Sequence, residues 1–206
     1  MRENAASGVL LAGGLSRRMG RDKLPLIVGG RPIIRRAYDA LAACCEEVIP
    51  VIRGPQAPPG LSEAASVVRD LRSSDEEGLG PLAGLEAGLH YCRHNRVFVA
   101  AGDMPFLSEE LVRYMLDRLE EGPLAVVPRR GKRREPLCAA YEREALGYVS
   151  RALDEGVRSL HGFLSTLPRV EEVGEDELRR FGEPELLLMN VNSPEDLERA
   201  REALGG

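Results

Sequence analysis

A chain of 206 residues and 22.5 kDa has the size of one domain, and 43% hydrophobic against 30% charged residues gives it a core without a bias toward disorder. A net charge of −5, 4% aromatic residues and no tryptophan argue against a nucleic-acid-binding surface, which needs cationic grooves and stacking rings. No apolar run suits a signal peptide or a membrane span, and Cys44, Cys45, Cys92 and Cys138 lack C-x-x-C spacing, so a cytoplasmic protein with reduced core thiols is expected.

Strands and helices alternate along the sequence. Residues 8–11 are all apolar apart from the leading glycine and run into Ala12-Gly13-Gly14, the pattern of a strand buried on both faces and closed by a tight turn. After Gly29-Gly30-Arg31-Pro32, the apolar residues Ile33, Ile34, Ala37, Tyr38 and Leu41 fall at helical spacing, with Pro32 suited to the first turn. Strands are expected at 48–52 and 66–69, separated by a proline-containing loop. Gly80-Pro81-Leu82-Ala83-Gly84 opens a helix, 96–101 is a buried strand, and the turn at Gly102-Asp103-Met104-Pro105 leads to a helix capped by Ser108. Further strands are expected at 124–127, 137–141 and 186–189, with helices near 143–153, 159–164 and 194–204.

The series reads as a single α/β domain over residues 1–206, with a mainly parallel, mixed sheet flanked by helices. Sheets of this kind bind ligands beyond the carboxyl ends of their strands. The candidate site residues are accordingly those that follow strands: the loop from Leu11 to Lys23, Asp70, Asp103, and Asn190 with Asn192. Gly13 and Gly14 let backbone N–H groups approach a phosphate without an intervening Cβ. Arg18 and Lys23 add positive charge. Lys23 stands out because only it and Lys132 among the 28 basic residues are lysine, and a compact ammonium suits a phosphate oxygen in a crowded pocket. Neither the P-loop nor the G-x-G-x-x-G pattern is present. Read alone, Asp103 is as well explained by a turn acid as by a ligand, and Asn190 and Asn192 by a helix start capped by Ser193.

Leu11-Ala12-Gly13-Gly14-Leu15-Ser16-Arg17-Arg18-Met19-Gly20-Arg21-Asp22-Lys23 resembles the L-A-G-G-x-S-x-R-M-G-x-D-K signature of the molybdenum cofactor guanylyltransferases, a branch of the nucleotide-sugar pyrophosphorylase-like nucleotidyltransferases. The similarity continues through Gly80–Gly84, Gly102–Leu107, Glu135-Pro136-Leu137 with Tyr141, and Asn190–Leu197. It implies a Rossmann-like nucleotidyltransferase fold and a Mg²⁺-dependent transfer of GMP from GTP to the terminal phosphate of Mo-molybdopterin, with release of pyrophosphate. It also implies GTP contacts from Leu11, Ala12, Gly13, Gly14, Lys23, Asp70 and Asp103, catalytic roles for Arg18, Lys23 and Asp103, and metal binding by Asp103. Asn190 and Asn192 match positions near the metal or the acceptor. Transient contact with molybdoenzyme maturation proteins fits such a role, whereas nucleic acid and membrane do not.

One departure concerns the base: relatives often carry Asn at the end of the second strand, where this chain has Val51. The alternatives are a related nucleotidyltransferase using CTP or another phosphorylated acceptor, and a non-catalytic GTP-binding module that hands on molybdopterin. The chemistry in either enzymatic case is dominated by charge, since two unit charges about 4 Å apart repel by roughly 4 kcal/mol even at an effective dielectric of about 20. Two further features stand outside the signature. His90 and His94 lie four apart but lack an evident third metal ligand, which favours surface or packing roles. The basic run Arg129-Arg130-Gly131-Lys132-Arg133-Arg134 reads either as a solvated hairpin tip or as an attractor of the acceptor phosphate.

Overall fold

In the computed structural model, residues 5–12, 24–52, 60–61, 67–69, 71–72 and 80–205 are described. In chain order these form β1 (Ala6–Leu11), a small hairpin of β2 (Ile27–Val28) and β3 (Arg31–Pro32), α1 (Ile33–Ala42), β4 (Glu47–Ile52), β5 (Val68–Arg69), α2 (Gly80–Tyr91), β6 (Arg96–Ala101) and α3 (Glu109–Arg118). There follow β7 (Ala125–Arg130), β8 (Arg133–Arg134), β9 (Cys138–Glu142), α4 (Ala145–Asp154), α5 (Leu160–Leu164), β10 (Val170–Val173), α6 (Glu175–Leu178), α7 (Pro184–Leu187) and α8 (Pro194–Ala203).

The main sheet has the order β10-β7-β9-β6-β1-β4-β5, with β8 paired to β7. The pairs β1·β4, β1·β6, β4·β5 and β7·β10 are parallel, and β9 runs antiparallel between β6 and β7. The sequence pattern thus predicts the mainly parallel, mixed sheet that is found. From β1 the chain first moves through α1 to β4 on one side, and later returns through α2 to β6 on the other. The two crossovers share one hand and proceed in opposite directions, so their helices cover opposite faces. The place where the strand order reverses lies between β1 and β6, which is where such sheets open a ligand crevice.

Alternation along the strands fills both layers. Leu10 of β1 and Phe98 and Ala100 of β6 point toward α1 and α3, whereas Val9, Val97 and Val99 point toward α2, α4 and α5. The second layer packs closely because Gly88 of α2 lies against β1: a Cβ there would stand 2.9 Å from Val9 Cγ2 and closer still to Cγ1. A third, smaller core of Val28, Ile33, Met189, Val191, Leu197 and Ala200 fastens the β2–β3 hairpin and α8 to the body.

Local signals account for most boundaries. Ser108 Oγ accepts from Leu111 N–H at 3.3 Å at the start of α3, and Ser193 and Asp196 form a reciprocal capping box at the start of α8, with Pro194 in the first turn. Pro32 stands one position earlier than expected, as the residue that caps α1 from an extended conformation. All four cysteines are free; Cys92 and Cys138 are buried and Cys44 and Cys45 only partly so. His94 faces Glu46 and His90 stacks edge-on against Tyr91, in keeping with surface and packing roles.

One expected element is of the wrong kind. Residues 186–189 are not a strand: Pro184–Leu187 is a helical turn, with Leu187 N–H donating to Glu183 O at 2.9 Å and Leu188 N–H to Pro184 O at 3.2 Å. The four apolar residues are shared between two cores rather than two faces of a sheet, Leu187 and Leu188 entering the first and Leu186 and Met189 the third. A short apolar run carries no period that separates these cases. The missing strand is β10, whose Val-Glu-Glu-Val sequence lies on the edge of the sheet beside β7.

Candidate active site

A cleft of about 860 Å³ opens over the carboxyl ends of β1, β6 and β7. Its floor is held by backbone hydrogen bonds between neighbouring strands. Gly102 N–H donates to Leu11 O at 2.9 Å and Ala12 N–H to Val51 O at 2.8 Å, so the first two residues of the glycine-rich loop are clamped between β6 and β4. Gly102 suits this position because a Cβ would come within 3.2 Å of Leu11 O. Val51 itself is 2% exposed, with its side chain in the core beside α2, so its side chain does not face the cleft and only its carbonyl serves the site.

Asp103 follows Gly102 and lines the cleft, its Oδ1 atom buried. Its main-chain carbonyl accepts from Val191 N–H at 2.9 Å. Val191 is fully buried in the third core, so Asn190 and Asn192 flank the anchoring residue and both line the same cleft. Asn190 Nδ2 donates to Leu188 O at 3.3 Å, while Asn192 N–H donates to the Asp196 carboxylate at 2.9 Å. The asparagines therefore stand after a helical turn rather than after the expected strand, and line the cleft together with Asp103. Leu11, Ala12, Asp103, Asn190 and Asn192 are brought together; Gly13, Gly14, Arg18, Lys23 and Asp70 lie outside the described residues.

The opposite wall is basic. Arg130 and Arg133 come from the β7–β8 hairpin, and Arg158 and His161 from around the start of α5. Between the walls stands Glu135, paired with Arg133 at 2.7 Å and fixed by Glu135 N–H donating to Pro128 O at 2.9 Å. Burial pushes the Glu135 carboxyl above the usual carboxylate range, Arg133, Arg130 and His161 pull it back, and Asp103 adds to the rise. The Pro136 carbonyl accepts from the buried Tyr141 hydroxyl at 2.8 Å, which locks this segment to β9. Arg158 and His161 escaped the sequence reading because an arginine and a histidine around a five-residue helix look like ordinary surface residues.

The arrangement joins a carboxylate with oxygen-donor neighbours on one wall to guanidinium groups on the other, over the switch point of an α/β sheet. That combination suits a reaction between two polyanions, one of them requiring a hard cation.

Comparison with known proteins agrees with this reading. A relative named "Probable molybdenum cofactor guanylyltransferase" from Pelotomaculum thermopropionicum is 40% identical over 95% of this chain and 92% of its own length. A molybdenum cofactor guanylyltransferase from Desulfosudis oleivorans is 32% identical over 98% and 96%. The crystal structure of molybdopterin-guanine dinucleotide biosynthesis protein A from Archaeoglobus fulgidus superposes with a TM-score of 0.81 at 28% identity, covering 97% of this chain and 98% of that one. Residues 8–170, which carry the glycine loop, Asp103 and the basic hairpin, match the MobA-like NTP transferase domain. The chain therefore belongs to the MobA-like NTP transferase family, and it is an enzyme that transfers a nucleotide.

Proposed function

We propose that the chain is a molybdenum cofactor guanylyltransferase that acts as one domain in the cytoplasm, transferring GMP from GTP to the terminal phosphate of Mo-molybdopterin. The substrates follow the names of its relatives. The observation that carries the reaction type is the double tether of the segment at Asp103, Gly102 to the start of the glycine loop and Asp103 to the Asn190–Asn192 segment, under a single cleft. An oxygen of the acceptor phosphate attacks the α-phosphorus of GTP, the bond from that phosphorus to the bridging oxygen breaks, and pyrophosphate leaves with the electron pair. The acceptor is already ionised, so no protein nucleophile is needed.

In this reading Leu11, Ala12, Gly13 and Gly14 hold the base and phosphates, Asp70 contacts the nucleotide, and Arg18 and Lys23 draw charge onto the departing pyrophosphate. Asn190 and Asn192 orient groups beside Asp103. The donor set at Asp103 fits Mg²⁺. It offers a hard carboxylate in a cleft that two carboxamides also line, and Mg²⁺ typically takes one or two carboxylates plus substrate oxygens. When bound there, Mg²⁺ supplies positive charge against the phosphate oxygens. Asp103 would hold it, and the backbone bonds around Asp103 fix the main chain that carries that carboxylate.

The test is pyrophosphate release by the purified protein with Mg²⁺ and Mo-molybdopterin, comparing GTP, CTP and ATP. Release with GTP and little with the others is expected. Release with CTP in place of GTP moves the base specificity, and silence with all three removes the enzymatic assignment of these substrates.

A further inference from the structure

The hairpin formed by β7 and β8 carries two directly opposed arginine pairs, Arg129 with Arg134 and Arg130 with Arg133. Like charges facing one another across a ladder destabilise it unless a counter-charge lies between them. The first pair has one. Glu172 of β10 takes Arg129 Nε on one carboxylate oxygen at 2.6 Å and Arg134 NH2 on the other at 2.6 Å. Both guanidiniums hold the Glu172 carboxyl below its usual range, Arg134 more strongly.

The second pair is differently placed and differently balanced. Successive residues of a strand point to opposite faces, so Arg130 and Arg133 turn away from Glu172 and line the cleft. Glu135 forms its ion pair with Arg133, whose side chain is 67% exposed, and acts on Arg130 without a direct contact. The main chain of Arg130 is paired with Arg133 in the ladder, while its side chain makes no hydrogen bond or ion pair with any described residue. One guanidinium more than the local carboxylate can neutralise therefore faces the cleft, on a hairpin that the Glu172 bridge holds rigid from behind. Arg158, which also lines the cleft, spends donors on the carbonyls of Leu153 and Val157.

We infer that Arg130, supported by Arg133, is the binding group for the phosphate monoester of the acceptor, while Arg129 and Arg134 serve only to stiffen the hairpin. The inference rests on the guanylyltransferase reading for the identity of the acceptor. Lateral position assigns the anion to the acceptor rather than to the triphosphate. In the order β7-β9-β6-β1, Arg130 ends a strand three places from β1, or roughly 14 Å at the usual strand spacing, and the glycine loop follows β1. Asp103 lies in the turn after the strand between, β6, which is one place from β1 and two from β7, where the two substrates would meet. A planar, permanently charged fork without a committed partner is suited to a phosphate dianion, which can accept two parallel N–H bonds from it.

The experiment measures equilibrium binding of molybdopterin and, separately, of GTP to the wild-type chain and to Arg130→Gln, Arg130→Lys and Arg129→Gln, with KM values from pyrophosphate release alongside. Loss of a charge-assisted contact to phosphate is expected to raise the molybdopterin Kd and KM at least about tenfold in Arg130→Gln. The GTP constants should stay within about twofold, and Arg130→Lys should recover part of the affinity. Arg129→Gln should lower the melting temperature and leave molybdopterin binding unchanged. Unchanged binding in Arg130→Gln overturns the inference, as does a rise in the GTP constants equal to that for molybdopterin, which would assign Arg130 to the triphosphate. Because binding is read directly, a wild-type protein that binds molybdopterin through Arg130 but releases no pyrophosphate would contradict the proposed reaction and leave this site standing.

Discussion

Asp103→Asn is expected to lower turnover by on the order of 10²- to 10³-fold while leaving the melting temperature unchanged. The substitution keeps the side-chain volume and removes the charge that the proposed Mg²⁺ site needs. One structural tie of this position runs through its main-chain carbonyl, which accepts from Val191 N–H at 2.9 Å and is retained in the variant. Loss should therefore appear in kcat and in the metal concentration required, without any sign of unfolding. Circular dichroism and thermal melting measured beside the activity separate the two effects. Full activity in Asp103→Asn would exclude this carboxylate from the reaction.

The largest expected effect on stability lies elsewhere, at Glu86 of α2. This residue is 4% exposed within a helix whose residues Leu82 to Leu89 are all buried. It is tolerated there because Arg72 donates to both carboxylate oxygens at 2.8 Å and Ser150 Oγ donates to Oε1 at 2.8 Å. Arg72 also pairs with Asp154 at 2.7 Å, so α2, α4 and the chain after β5 are tied together. Asp70, a proposed nucleotide contact, precedes Arg72 by two positions in the sequence. Glu86→Ala leaves a cavity and a guanidinium that keeps only Asp154 as counter-charge; about 3 kcal/mol of stability should be lost, toward the lower end for a broken buried pair because Arg72 keeps that partner and some solvent contact.

The same pair sets an expected pH dependence. Hydrogen bonds from Arg72 hold the Glu86 carboxyl below its usual range against the opposing effect of burial. A depressed value in the folded state means that the stabilisation is complete above the unfolded carboxylate value, about 4.3, and is lost as pH falls through the lower folded value. Melting temperatures followed from pH 7 down to roughly pH 3 should thus fall less steeply in Glu86→Gln than in the wild type. Parallel curves would mean that Glu86 is not held in this way.

How much of this was readable in the sequence depended on whether a residue's role was local. β1, α1, β6 and α3 announce themselves through burial period and caps, and Asp103 through its place after a strand in an α/β pattern. The glycine loop was recognisable from its string of residues, although only Leu11 and Ala12 of it are among the described residues. Long-range pairing was not readable. The run from Arg129 to Arg134 looks uniform in sequence, and it is Glu172, 43 residues beyond Arg129, that splits it into a structural half and a half facing the cleft. Glu86 resembles an ordinary solvated helix position until Arg72 and Ser150 are seen to close over it. Likewise Asn190 and Asn192 reach the site through Val191 and a helical turn, not through the strand that their apolar neighbours suggest.

The central claim is that the α-phosphoryl group of GTP, with its guanosine, moves to the acceptor phosphate. It is tested most directly by incubating the purified protein and Mo-molybdopterin with GTP labelled in turn at the α- and γ-phosphorus, then separating the products. The account predicts that α-label enters a guanine dinucleotide of the acceptor and that γ-label leaves in pyrophosphate. Transfer of γ-label to the acceptor, or release of both labels without any dinucleotide, would contradict it.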